Sequence, residues 1–193
     1  MALTPSVMVD LGTKAVDFEL LNVSSGKKVS IFQFRKSRGL LVMFICRHCP
    51  YVKHLEKALA ILGRDYEKSE IGIIAVSSND AENYPDDHPS QLKKMVQELS
   101  FSFPFLYDED QEMAKRYRAA CTPDFFLFDT QVRLAYRGQF DDSRPGNSIS
   151  VTGQDLRTAM DMLLAGRPPL VEQKPSMGCN IKWKLGSAPG YFN

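Results

Sequence analysis

Two thiols three residues apart, Cys46 and Cys49, close an apolar run in the stretch LLVMFICRHCPYVKHLEKAL (residues 40–59). A CxxC pair can close a disulfide, exchange it with another dithiol, or supply half of a zinc site. The thiolate is the reactive form of cysteine, so what matters is whatever lowers its pKa. Arg47 and His48 lie between the sulfurs, and both can bring positive charge to a Cys46 thiolate. Pro50 follows at a position suited to the first turn of a helix, where the missing N–H is tolerated. A thiolate at a helix N-terminus accepts hydrogen bonds from free N–H groups and meets the positive end of the helix dipole. The expected roles are therefore Cys46 as the exposed attacking sulfur and Cys49 as the more buried resolving one. A structural tetrahedral zinc site would need two further ligands. The other two cysteines, Cys121 and Cys179, stand apart with no second CxxC, so no metal is expected and redox chemistry is the reading carried forward.

A second segment, RAACTPDFFLFD, sets Thr122-Pro123 just before a strand-like run. Proline lacks a ladder donor and belongs at a strand start or edge. X–Pro bonds adopt cis at low cost. A cis bond would bring the Thr122 backbone against the disulfide to hold an extended substrate chain; an ordinary trans proline capping the strand is the alternative. Cys121 reads either as a small buried apolar residue or as an extra redox thiol near the site. Cys179 could pair with Cys121, resolve a mixed disulfide if the tail folds back, or remain an unpaired thiol.

The elements that must position these groups follow from periodicity. GLLVMFI (39–45) and IGIIAVSS (71–78) are continuous apolar runs of the kind found in strands buried on both faces. Between them, Val52, Leu55, Leu59, Leu62 and Tyr66 recur at helical spacing, which makes a βαβ unit. AVDFELLNV and KKVSIFQF around the turn SSGK predict an N-terminal hairpin. A helix carrying Leu92, Met95, Val96 and Leu99, a short FPFLYD strand and a helix over 110–120 follow. DFFLFD and VRLAYRGQF then predict an antiparallel pair, and a last helix starts at Thr152 with Asp155 as a variant capping box and Gly166 as its stop. The predicted fold is α/β: a mixed central sheet with helices on both faces, an N-terminal extension (1–36), a core (37–166) and an irregular tail (167–193), all in one domain.

At 193 residues with 44% hydrophobic and 24% charged residues, the chain can bury a sizeable core. A net charge of +1 gives no electrostatic footprint for nucleic acid or an anionic membrane. No apolar run approaches the about 20 residues of a membrane span. The N-terminus lacks a signal-peptide pattern, so a cytoplasmic location is expected. His54 and His88 read as solvated surface residues, PDDHP as an exposed loop, and FDDSRPG, with Asp141, Asp142 and Arg144, as a solvated turn. Trp183 and the aromatics at 125, 126 and 128 read as core and tail anchors.

Together, the CxxC and the Thr-Pro segment resemble the thioredoxin superfamily, in which a CxxC at the start of a helix faces a cis-proline that opens a strand. CRHC stands in the place of the active-site tetrapeptide, and its histidine before the second cysteine is similar to that of the bacterial oxidant DsbA. The wider set DFELL, LLVMFICRHCPYVKHLE, GIIAVSSNDAENYPDD, YRAACTPDFFLFD, YRGQFDDSRPG and GCNIKW looks like the peroxiredoxin-like thioredoxin proteins of the AhpC/TSA clan. That resemblance implies a thioredoxin fold and thiol–disulfide exchange, in which Cys46 and Cys49 react, Arg47 and His48 tune the thiolate, and Thr122 and Pro123 bind substrate. It also pulls FDDSRPG towards the site. No cofactor is implied; the partners would be a disulfide-bearing protein or small thiol substrate and an upstream thiol reductant. A typical peroxiredoxin carries proline, then threonine or serine, ahead of its reactive cysteine; here those places hold Gly39 and Met43. Ile45 stands where thioredoxin has tryptophan. A thiol peroxidase using Cys46 and a redox-sensing binding module are the two rival readings.

Overall fold

The computed structural model describes residues 3–192. In chain order the strands and helices are β1 (Leu3–Pro5), β2 (Glu19–Asn22), β3 (Lys28–Ser30), β4 (Gly39–Phe44), α1 (Pro50–Asp65), β5 (Ile71–Ser77), α2 (Pro89–Leu99), β6 (Phe105–Tyr107), α3 (Glu112–Tyr117), β7 (Cys121–Thr122), β8 (Asp124–Phe128), β9 (Leu134–Gly138), α4 (Gln154–Leu164) and β10 (Met177–Asn180). The mixed seven-stranded sheet runs β3-β2-β6-β5-β4-β8-β9. The β4–β5 and β5–β6 pairs are parallel; β8 adds antiparallel to β4, and β9 antiparallel to β8. The predicted N-terminal hairpin is the antiparallel β2–β3 pair.

The central strand β4 is buried along its whole length, as its unbroken apolar run requires. Successive side chains of a strand point to opposite faces. Leu41 and Met43 therefore enter one core cluster with Leu55, Leu59, Leu62 and Met160, while Leu40, Val42 and Phe44 enter the other with Met113, Tyr117 and Phe126. The first cluster continues through Ile45 into Cys46, Cys49 and Cys179, so the thiols are an extension of the core. Phe125 joins the first cluster, and Phe126 and Phe128 the second, with Trp183 packed against it.

Three local expectations are revised. KKVSIFQF is a strand only to Ser30 and then closes in a 3₁₀ turn over Ile31–Phe34. The last helix begins at Gln154 after Gly153, whose φ of 70° a glycine adopts without penalty. Its entry is held by Asp141, which accepts from the Thr152 and Gly153 amides, while Asp155 instead accepts from Gln139. The tail is not wholly irregular: β10 is the middle strand of a second, antiparallel sheet, β1-β10-β7. Gly166 does end α4, with φ at 67° and Arg167 N–H returning to the Met162 carbonyl.

Beside β7, Asp124 and Arg137 form a fully buried ion pair at 3.1 Å. Asp124 also accepts from Ser6 Oγ at 2.7 Å, and Arg137 donates to the Arg118 carbonyl and lies over the Phe126 ring. Burial pushes the Asp124 carboxyl up, and the Arg137 charge opposes that shift. Removing one partner strands the other without solvent. Arg137→Met is expected to lower unfolding free energy by about 3–5 kcal/mol, read from the urea midpoint, and adding Asp124→Asn to it should recover part of the loss.

Candidate active site

β4 delivers the chain to Ile45, and α1 begins at Pro50, with Cys49 as its N-cap residue. The CRHC turn spans that junction. Cys46 Sγ lies 3.3 Å from Thr122 Oγ1 and 3.9 Å from His48 Nδ1. Cys49 Sγ donates to the Thr122 carbonyl at 3.1 Å. The Thr122-Pro123 bond is cis. The structure thus brings Cys46, His48, Cys49, Thr122 and Pro123 together, although residues 46 and 122 are 76 positions apart. All four cysteines are thiols.

The burial differs from expectation. Cys46 and Cys49 both have 0% of their surface exposed, so the attacking sulfur is not at the surface. The charge is also distributed differently. Burial, then the hydrogen bond with Cys49 and the nearby Asp87 carboxylate, push the Cys46 thiol well above its usual range. Cys49 is lowered from 9.0 to about 4, first by the hydrogen bond from Cys46 and further by those from Cys179 and Thr122, against its own burial; the Val52 amide in the first turn of α1 adds to this. Hydrogen-bond donors thus gather on Cys49. Burial and the Asp87 charge act against the activated thiolate expected at Cys46.

Arg47 does not face the sulfurs. Its guanidinium donates to the Gln91 carbonyl and pairs with Glu98 at 3.0 Å, both on α2. Its backbone amide, together with that of His48, points to Asp87 Oδ1, at 2.7 and 3.2 Å. Asp87 Oδ2 accepts from Asn79 Nδ2 at 2.7 Å and is bonded to His48 Nδ1. Asp87 is the functional residue that sequence reasoning missed. It sits in PDDHP, expected to be an exposed loop, yet it is fully buried, and it takes the Arg47 and His48 amides of the CxxC turn. Burial raises the Asp87 carboxyl, but His48, Asn79 and the Arg47 amide outweigh this and hold it below its ordinary value. His48 also stacks on Tyr84, with ring centres 5.4 Å apart.

Among the described residues, one donor atom each from Cys46, His48 and Asp87 lie within 4.8 Å of one another, a grouping that metal ligands could share and that the spacing of the cysteines does not reveal. The histidine and carboxylate atoms are already bonded to each other. Two other expectations are corrected. His54 is partly buried and bonded to Ser143 at 2.7 Å, whereas His88 is exposed and caps α2. FDDSRPG is no solvated turn: Asp141 and Ser143 are buried, and Arg144 bonds to the Asp141 carbonyl and to Gln139. This network and Pro123 line one small cleft with Tyr51 and Met177.

The tail completes the site. Thr122 is the register partner of Cys179, and Asn180 that of Cys121. The extended chain held against Thr122 is this protein's own β10. Cys179 therefore lies on the Thr122 side, in hydrogen-bonding reach of Cys49, and is raised to about 12 by burial and then by that bond. Cys121 points to the other face, with its Sγ near the Pro123 carbonyl, and burial raises it well above its usual value.

With this geometry in view, the comparisons with known proteins are specific. Residues 11–137 match the AhpC/TSA family, and the chain belongs to that family. The crystal structure of an uncharacterized conserved protein from Geobacillus kaustophilus is 50% identical, with a TM-score of 0.94, covering 97% of this chain and 99% of that one. The thioredoxin domain of a thiol-disulfide oxidoreductase from Bacteroides vulgatus (16% identity, TM-score 0.59, 78% of this chain and 98% of that one) shares the thioredoxin fold. So does the peroxidoxin BcpB from Mycobacterium tuberculosis (15%, 0.62, 83% and 99%). No curated protein sequence matches significantly. No helix among the described residues is long and apolar enough to cross a membrane.

Two measurements check the electrostatics. Thiolate absorbance should titrate near pH 4 in the reduced protein, and Cys46→Ala, which removes the largest stabilising donor, should move that midpoint upward towards 9.0. A thiol pKa depressed on folding stabilises the protein fully above its unfolded value and loses that contribution as pH falls through the folded one. The stability difference between reduced protein and Cys49→Ser should therefore grow from pH about 4 to about 9. Asp87→Ala leaves the Arg47, His48 and Asn79 donors unpaired, and is expected to lower the unfolding free energy by on the order of 3 kcal/mol in urea titrations.

Proposed function

We propose that the protein is a thiol–disulfide oxidoreductase that cycles Cys46 and Cys49 between dithiol and disulfide. The observation that carries this reading is geometric: the two sulfurs of a CxxC at the strand-to-helix junction are set together against Thr122, Cys46 at its hydroxyl and Cys49 at its carbonyl. Membership of the AhpC/TSA family supports thiol redox chemistry. In the reducing direction Cys46 attacks a substrate disulfide while its proton passes to the Cys49 thiolate, and the first substrate thiolate leaves. Cys49 then attacks Sγ of Cys46, the mixed disulfide breaks, and the second substrate sulfur departs with the Cys49 proton. One substrate disulfide becomes two thiols as the protein dithiol becomes a disulfide. Thr122 and Pro123 line the reacting sulfurs, and His48, held by Asp87, lies beside Cys46.

The substrate class is a disulfide-bearing protein or a small disulfide, and reducing equivalents come from a separate thiol system. The burial of both sulfurs favours substrates that can reach a recessed site. The test is equilibration in glutathione buffers of stepped ratio, followed by alkylation and mass spectrometry. A Cys46–Cys49 disulfide is expected. Its potential separates a reductant, near about −270 mV, from an oxidant, near about −120 mV. Cys49→Ser should accumulate a glutathione mixed disulfide at Cys46. A protein in which Cys46 and Cys49 never pair would remove the exchange reading and favour peroxide chemistry at Cys46.

A further inference from the structure

Three observations set Cys179 apart from an incidental buried cysteine. First, β10 is pressed against the site: a methyl group at Gly178 would stand 2.0 Å from the Thr122 carbonyl oxygen, so only glycine permits the approach. Second, register and alternation fix direction. Thr122 and Cys179 are direct partners, so both side chains lie on the face that carries Cys46 and Cys49, while Cys121 and Asn180 occupy the opposite face. Third, Cys49 and Cys179 lie in one continuous core cluster, each sulfur in reach of the other. The tail is also anchored beyond β10. Lys182 N–H donates to Asn79 Oδ1 at 2.8 Å, its carbonyl accepts from Asp80, and Asn79 in turn holds Asp87.

We infer that Cys179 is a third redox thiol, and that Cys49 alternates between a disulfide with Cys46 and a disulfide with Cys179. The exchange needs no outside oxidant or reductant. Starting from the Cys46–Cys49 disulfide, the Cys179 sulfur bonds to Sγ of Cys49 and the Sγ46–Sγ49 bond breaks. Cys46 leaves with the electron pair and takes up the proton that Cys179 loses. The product is an isomer of equal oxidation state. In it the tail is covalently tied to the start of α1, and Cys46 is a free thiol in an otherwise oxidised protein. The tail strand thereby acts as an internal counterpart of a substrate chain, carrying its own cysteine to the pair. This inference rests on the exchange reading for its first disulfide, but the Cys49–Cys179 bond can be measured without it.

The experiment uses full-length Cys46→Ser, with Cys46→Ala as a second variant in case the serine perturbs the buried site. Each is oxidised in glutathione buffer, alkylated and digested without reduction, and the linked peptides are identified by mass spectrometry. A Cys49–Cys179 disulfide is expected as the main oxidised species. Combining either variant with Cys179→Ser should reduce the internally crosslinked fraction by on the order of tenfold or more, since the neighbouring thiol's effective concentration is lost. Combining it with Cys121→Ser should leave the fraction unchanged. In the unsubstituted protein carrying one disulfide, both the Cys46–Cys49 and the Cys49–Cys179 isomers should appear. A Cys46 variant that yields only glutathione adducts at Cys49, or a Cys49–Cys121 bond, overturns the inference. If the unsubstituted protein forms Cys46–Cys49 while the Cys46 variants form no internal bond, the third thiol fails and the exchange reading survives. If the variants form Cys49–Cys179 and the unsubstituted protein never pairs Cys46 with Cys49, it is the exchange reading that fails.

Discussion

Thr122 is the point on which the arrangement of the site depends. Its hydroxyl faces Cys46, its carbonyl accepts from Cys49, and its backbone is the register partner of Cys179. One residue thus meets the two sulfurs of the CxxC and the strand that brings the third. Two residues on, the carboxylate of Asp124 is buried and shared among Ser6, Ala120 and Arg137, with the Ala120 contact bridging the segment that holds Thr122. A buried carboxylate without those partners would be costly, so the ion pair and the site are mechanically continuous. Ser6 follows directly on β1, and β1 pairs with β10, which links the N-terminal strand to the same assembly.

A second constraint is where negative charge can reside. Asp87 is ionised inside the protein because His48, Asn79 and two backbone amides surround it. Its charge disfavours a thiolate on Cys46. The CxxC turn therefore works differently from a bare helix N-terminus. Its amides serve a carboxylate contributed by the loop before α2.

The parts of this design that follow from local pattern were legible in the sequence. The unbroken apolar run of β4, the helical spacing of Val52, Leu55, Leu59 and Leu62, and the proline at the start of α1 fixed the strand–CxxC–helix unit. Thr122-Pro123 was recognisable as the opposing segment. The rest depends on contacts between distant positions. Asp87, between Asp86 and a histidine in a proline-flanked loop, carries the same local signal as a solvated acid; only the fold turns it inward. Arg47 looked like a thiolate partner because it is adjacent in sequence, but Glu98 on α2 offers its guanidinium a direct counter-charge. The tail's strand was hidden by the prolines and glycines around it. It is stabilised by two neighbours that are themselves only three and two residues long, too short to announce a sheet.

The complete burial of the CxxC sulfurs separates two quantities that an exposed active site would merge. The balance between dithiol and disulfide responds to the groups that meet the sulfurs: Thr122, the Asp87 charge and Cys179. The speed at which an outside disulfide is met depends on how those buried sulfurs become reachable. Any opening that moves β10 breaks its pairing with β1 and β7 and the tie from Lys182 to Asn79, and so carries a free energy of its own. The tail bears on both, because Cys179 meets Cys49 while β10 is held beside Thr122.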